Sequence, residues 1–173
     1  MRRTMVRIPG AFALLMVWLG PAAALDTPNE RVTLAGLTGV HVVVDEVGVE
    51  GERRGVSRAA IQADVEGWLR KAGLRVYTAG EAMASVGRPT LQIRIAVVQP
   101  RENSPMIVYS VDLTLRQQIR LVRDRAVESF AVTWSDTREV GAVDASRLTA
   151  VRDTVRAKVD QFIQAWQTVN HER

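Results

Sequence analysis

Few residues in this chain carry usable chemistry. His41 and Asp45 stand four apart in a β-branched run, so they fall on one face of a single strand. An imidazole and a carboxylate on one face suit general acid–base work or weak metal binding, and equally suit the wet side of a strand. The other histidine, His171, lies in the last three residues. The chain has no cysteine, which excludes a thiolate nucleophile, a disulfide, a Cys-built zinc site and a lipid-anchored N-terminal Cys. Ser135 follows Trp134 with no base nearby and reads as a turn residue. Asp45, Glu46, Glu50 and Glu52 gather without the spacing of a calcium loop. No nucleophile elbow, paired-His zinc helix, Walker loop or dinucleotide fingerprint occurs. The expectation is therefore no catalytic, cofactor or metal set, with His41 and Asp45 as the alternative site of a hydrolase or small-ligand binder.

A surface is better marked than a centre. Residues 109–121 alternate, with Tyr109, Val111, Leu113, Leu115, Ile119 and Leu121 on one parity. Asp112, Thr114, Arg116, Gln118 and Arg120 share the other, which predicts a long half-buried strand with one wet face. Gln117 breaks the apolar parity and marks a possible bulge. This polar row, with Trp134 on the next strand, is the expected partner surface. Arg116, Arg120, Arg123 and Arg125, interrupted by Asp124, suit an anionic lipid or glycan. Trp68 and Trp166 fall on helical apolar stripes and read as core. Trp134 is open between core and contact.

The elements that must hold this surface follow from periodicity. Residues 40–47 read as a first strand and 48–55 as a loop. Ser57 caps a helix whose stripe is Ile61, Val65, Trp68, Leu69 and Ala72, and Gly73 ends it. Residues 74–78 read as a strand, which completes a βαβ unit. Strands are expected at 91–98, 109–121 and 130–134, the last marked by Phe130, Val132 and Trp134. Residues 135–145 read as a polar loop. A six-turn helix closes the chain, striped by Leu148, Val151, Val155, Val159, Phe162, Ile163, Trp166 and Val169 and capped by Asp144 or Ser146. The order β-α-β-β-β-β-α predicts an α+β fold, a two-layer α/β sandwich: a mixed sheet with two helices on one face.

Residues 1–24 carry a different signal. Arg2, Arg3 and Arg7 precede a nine-residue apolar core, and Ala22 to Ala24 offer small residues for a signal peptidase. The apolar run is too short to span a bilayer. The expectation is a cleaved secretory signal, then a flexible leader at 25–33, one globular domain at 34–170 and a frayed tail at 171–173. That implies an exported protein, periplasmic or secreted and soluble, with neither a transmembrane nor a lipid anchor. Beyond residue 24 the net charge falls from +4 to +1, so the basic balance does not point to nucleic acid. With 47% hydrophobic residues, the chain has the material for one ordinary core.

Several strings resemble a family of small exported bacterial proteins of uncharacterised function. They are LRKAGLRV at 69–76, the strand at 109–115, LVRD at 121–124, TWS at 133–135 and VDQFI at 159–163. The order of elements is also similar to the N-terminal domain of the Tol-system periplasmic protein, and to the lipoprotein that plugs the lipopolysaccharide transporter. The resemblance implies a place in the bacterial envelope and a fold, without a reaction. Envelope proteins, lipid-like ligands and further copies of the chain are the partner classes it leaves open. The reading is a non-catalytic binding or assembly module, with a homo-oligomeric structural subunit as a further alternative.

Overall fold

The computed structural model describes residues 26–170 other than Glu46, Asn103 and Thr137. The expected signal segment and the tail at 171–173 lie outside the described residues. Strand β1 (Gly39–Val44) is a β-branched run whose Val40, Val42 and Val44 are buried. Helix α3 (Arg58–Lys71) follows. Ser57 Oγ accepts from Ala60 N–H at its start, and Gly73, at φ +88°, leaves it in the left-handed region. Its Ile61, Val65 and Leu69 enter the core. Strand β2 (Arg75–Val76) returns parallel to β1.

Gly39 has to be glycine there, since a Cβ would sit 2.7 Å from both Arg75 O and the Tyr77 ring. Strand β3 (Thr90–Val98) lies parallel to β1 on its other side and antiparallel to β4 (Met106–Leu121). Helix α5 (Thr149–Asn170) packs with α3 on the sheet's apolar face. The six-stranded mixed sheet with helices packed on it is an α+β fold. No helix among the described residues is long and apolar enough to cross a membrane.

Three segments depart from the expected pattern. Residues 25–33 are not a flexible leader where described: α1 (Pro28–Val32) is a short helix with Pro28 in its first turn and a reciprocal capping box between Thr27 and Glu30. The loop at 48–55 holds α2 (Val49–Arg53), whose buried Gly51 lets the backbone approach Val47 and Val97. In the connection at 79–89, where a helical turn around Glu81 to Ser85 is expected, helix α4 (Ala79–Ala84) has its own capping box, Thr78 with Glu81. The polar loop at 135–145 contains β6 (Glu139–Asp144). Its strand signal is masked by Gly141, where a Cβ would run into the Tyr109 ring. Asp144 then caps a 3₁₀ turn at Ala145–Arg147 rather than α5 itself.

Strands β5 (Asp124–Ser135) and β6 share one edge of β4. Ser135 faces Thr114, and Glu139 faces Val111, so β5 and β6 follow one another along β4 with a break between them. Together they make one interrupted edge of the sheet.

Candidate functional site

The outer face of β4 is built by strand alternation. Val111, Leu113 and Leu115 point to the core, and Asp112, Thr114, Arg116, Gln118 and Arg120 point away. Along the sheet this face is a ladder of compensated charge. Asp45 accepts from Gln92 Nε2 at 3.0 Å and faces Arg94 at 3.4 Å. Arg94 sits opposite Asp112, which accepts from Arg138 Nη2 at 2.8 Å. That hydrogen bond raises the Arg138 guanidinium above its ordinary range. A shallow hollow of about 290 Å³ lies over Asp45, Arg94, Ser110, Asp112 and Arg138. Its charges are already engaged with one another.

Beyond Leu115 the ribbon changes character. Leu115 faces Trp134 but Arg116 faces Val132, so Thr133 is an extra residue in β5. Gln117 Nε2 donates to Thr133 Oγ1 at 2.7 Å and to Thr33 O at 3.2 Å, filling the bulge. The irregular residue in β4 was readable from sequence, but the bulge itself lies in the partner strand. Its consequence was not readable. A one-residue insertion exchanges the faces of every side chain past it. Phe130 and Val132 therefore leave the core side and join Gln118 and Arg116 on the outer face. They are 48% and 50% exposed. Arg120 and Gln118 both donate to Glu128 on the same face.

Trp134 is separated from this surface. It is fully buried on the opposite face, edge-on to Phe162 with ring centroids 5.1 Å apart. Its Nε1–H donates to Asp26 at 2.9 Å, and Arg31 also holds that carboxylate. Trp134 is a core residue, not a contact residue. Trp68 and Trp166 are partly buried against the core, where Trp166 Nε1–H donates to Leu37 O.

His41 and Asp45 are not brought together. Four residues along one strand set them roughly 13 Å apart. His41 Nδ1 lies 3.1 Å from Tyr77 O, while Asp45 is engaged by Gln92 and Arg94. The acidic residues of the following segment also separate. Glu50 takes Arg54, and Glu52 takes Arg58 N–H.

One polar cluster escaped the sequence reading. Asp136, at the break in the edge strand, accepts from Lys158 Nζ at 2.9 Å. With its amide nitrogen toward the carboxylate, Gln161 donates to Asp136 Oδ2 at 2.6 Å. The signal was present: Lys158 lies between Val155 and Phe162 on the buried stripe of α5 and is one of two lysines in the chain. A polar hollow of about 290 Å³ beside it is lined by Asp26, Arg31, Asp136, Gln161, Gln164 and Thr168.

Compared with known proteins, the chain matches no family model and no curated protein.

Proposed function

We propose that this chain is a non-catalytic, exported binding or assembly module of the cell envelope. Its partner sits on the outer face of the β4–β5 ribbon. One observation carries the reading: the bulge at Thr133 puts Phe130 and Val132, half-exposed, on the face that presents Arg116, Gln118 and Arg120. Apolar side chains placed in water among arginines are the composition of contact surfaces. The signal pattern of residues 1–24 supports export. The resemblance to small exported bacterial proteins supports the envelope as the place of action.

Edge-to-edge assembly of copies is a poorer fit. The outer edge is interrupted by the Thr133 bulge and by the break between β5 and β6, two devices that blunt a strand edge against pairing. The site that reaches a partner is then the face rather than the edge.

The test is partner capture with Arg116→Glu, Arg120→Glu and Phe130→Ser combined. Capture by chemical crosslinking in the native envelope is expected to fall at least tenfold, with the thermal midpoint within a few degrees of the parent. Unchanged capture would remove this surface from the account.

A further inference from the structure

The turn that ends the β4–β5 ribbon has its own composition. The last support beside it is Gln118 N–H, which donates to Gly87 O at 2.7 Å. Past that point the ribbon stands clear of the sheet. Two-residue hairpin turns normally use Asn-Gly or Gly-rich pairs with positive φ. Here the turn residues are Val122 and Arg123, and neither adopts positive φ. Backbone geometry therefore does not dictate their identity. Val122 is 94% exposed, and Val127, in the irregular stretch between Asp124 and Glu128, is 42% exposed.

The charge at this end is one-sided. Residues 116–132 hold four arginines against Asp124 and Glu128, a net +2, while the whole chain beyond residue 24 carries +1. Both acids are occupied. Asp124 Oδ1 accepts Ala126 N–H at 3.0 Å, and Glu128 is held by Arg120 and Gln118. Arg116, Arg123 and Arg125 have no carboxylate within ion-pair distance among the described residues. The positive charge is thus concentrated along the ribbon, and Arg123 and Arg125 stand at its exposed turn beside Val122.

We infer that this tip docks on an anionic phospholipid surface, with Val122 entering the headgroup–acyl boundary and Arg123 and Arg125 held among the phosphates. The inference rests on the reading of the ribbon as the contact element and adds a lipid contact at its tip to the partner on its face. An exposed apolar point flanked by two arginines fits a deformable, negatively charged interface, where aliphatic stems bury while guanidiniums stay at headgroup level. A protein partner would have to supply a socket for it. Each arginine near such a surface strengthens binding about fivefold, and salt weakens the effect.

The test is vesicle flotation of the purified protein. Binding is expected to vesicles containing phosphatidylglycerol but not to pure phosphatidylcholine, and to fall as salt rises from low to high. Arg123→Gln with Arg125→Gln should weaken binding about 25-fold. Arg53→Gln with Arg101→Gln, at the opposite end of the sheet, removes the same charge and should leave binding nearly unchanged.

The chain lacks cysteine, so Val122→Cys gives a single labelling site. An environment-sensitive dye there should shift to the blue on anionic vesicles, and the same dye at Arg101→Cys should not. Absence of flotation, or equal loss in both charge pairs, would overturn the lipid assignment. Absence of flotation with intact capture of an envelope protein through Arg116, Arg120 and Phe130 would do so while leaving the module reading standing. Loss of both would end the two together.

Discussion

Lys158 Nζ donates to Asp136 Oδ2 at 2.9 Å, and the two side chains are 5% and 4% exposed. The contact ties the middle of α5 to the point where the edge strand breaks into β5 and β6. Breaking a buried pair by removing one partner leaves the other charge uncompensated, at a cost of about 3–5 kcal/mol. Lys158→Ala and Asp136→Ala should each lose that much in denaturant unfolding. Lys158→Met with Asp136→Leu should lose clearly less than either single change, because no buried charge is left. Additive losses of Lys158→Met and Asp136→Leu, measured singly and together, would show that the pair is not coupled.

The bulge at Thr133 decides which side chains the ribbon shows. Deleting Thr133 should restore regular register and return Phe130 and Val132 to the inner face. Partner capture should then fall as far as it does in Phe130→Ser. Gln117→Ala should keep the bulge but remove two hydrogen bonds, at about 1 kcal/mol of stability. Chemical shifts or a structure of the deletion variant would show the register directly.

Gly141 is the close approach that lets β6 lie against Tyr109. Gly141→Ala places its Cβ in the Tyr109 ring and should cost about 1–3 kcal/mol. The Tyr109 hydroxyl lies 3.1 Å from Thr154 Oγ1, so the ring cannot move without disturbing a buried hydrogen bond. In a Tyr109→Leu background the same alanine should cost much less. Equal costs in both backgrounds would place the strain elsewhere.

Glu81 gives a pH dependence with a defined sign. Thr78 N–H, then the Arg75 guanidinium and the Thr78 hydroxyl, lower its carboxyl from 4.5 to about 2. The folded-state value lies below the unfolded one, so the contribution to stability is complete above about 4.5 and lost as pH falls toward 2. Glu81→Gln should flatten that part of the stability profile without changing the rest. NMR titration of the Glu81 carboxyl should give a midpoint near 2, and a midpoint near 4.5 would contradict the capping geometry.

Strands β1, β3 and β4 and the two large helices were legible because each is long enough for its period to show, whereas the order of the strands in the sheet was not. The stripe from Val151 to Val169 needs no tertiary context to be read. Shorter elements were not legible by period. Helix α1 has five residues, and only its Thr27–Glu30 capping box announces it. Strand β6 was hidden by Gly141, whose value lies in a contact with Tyr109 that sequence spacing does not display. The polar row Asp112 to Arg120 was readable by parity, and its orientation holds. Trp134, Val132 and Phe130 share a parity in sequence but not in space, because alternation carries no mark of an inserted residue. Asp136 became buried through the strand break, and no spacing in the sequence pairs it with Lys158.

The most direct measurement is site-specific photocrosslinking in the native envelope, with the reactive residue at position 130 and, as control, at the exposed Ala63 of α3. Adducts with a stoichiometric envelope component are expected from position 130, abolished by Arg116→Glu with Arg120→Glu, and none from position 63. Adducts from position 63 alone, or adducts from position 130 that persist after both charge reversals, would contradict it.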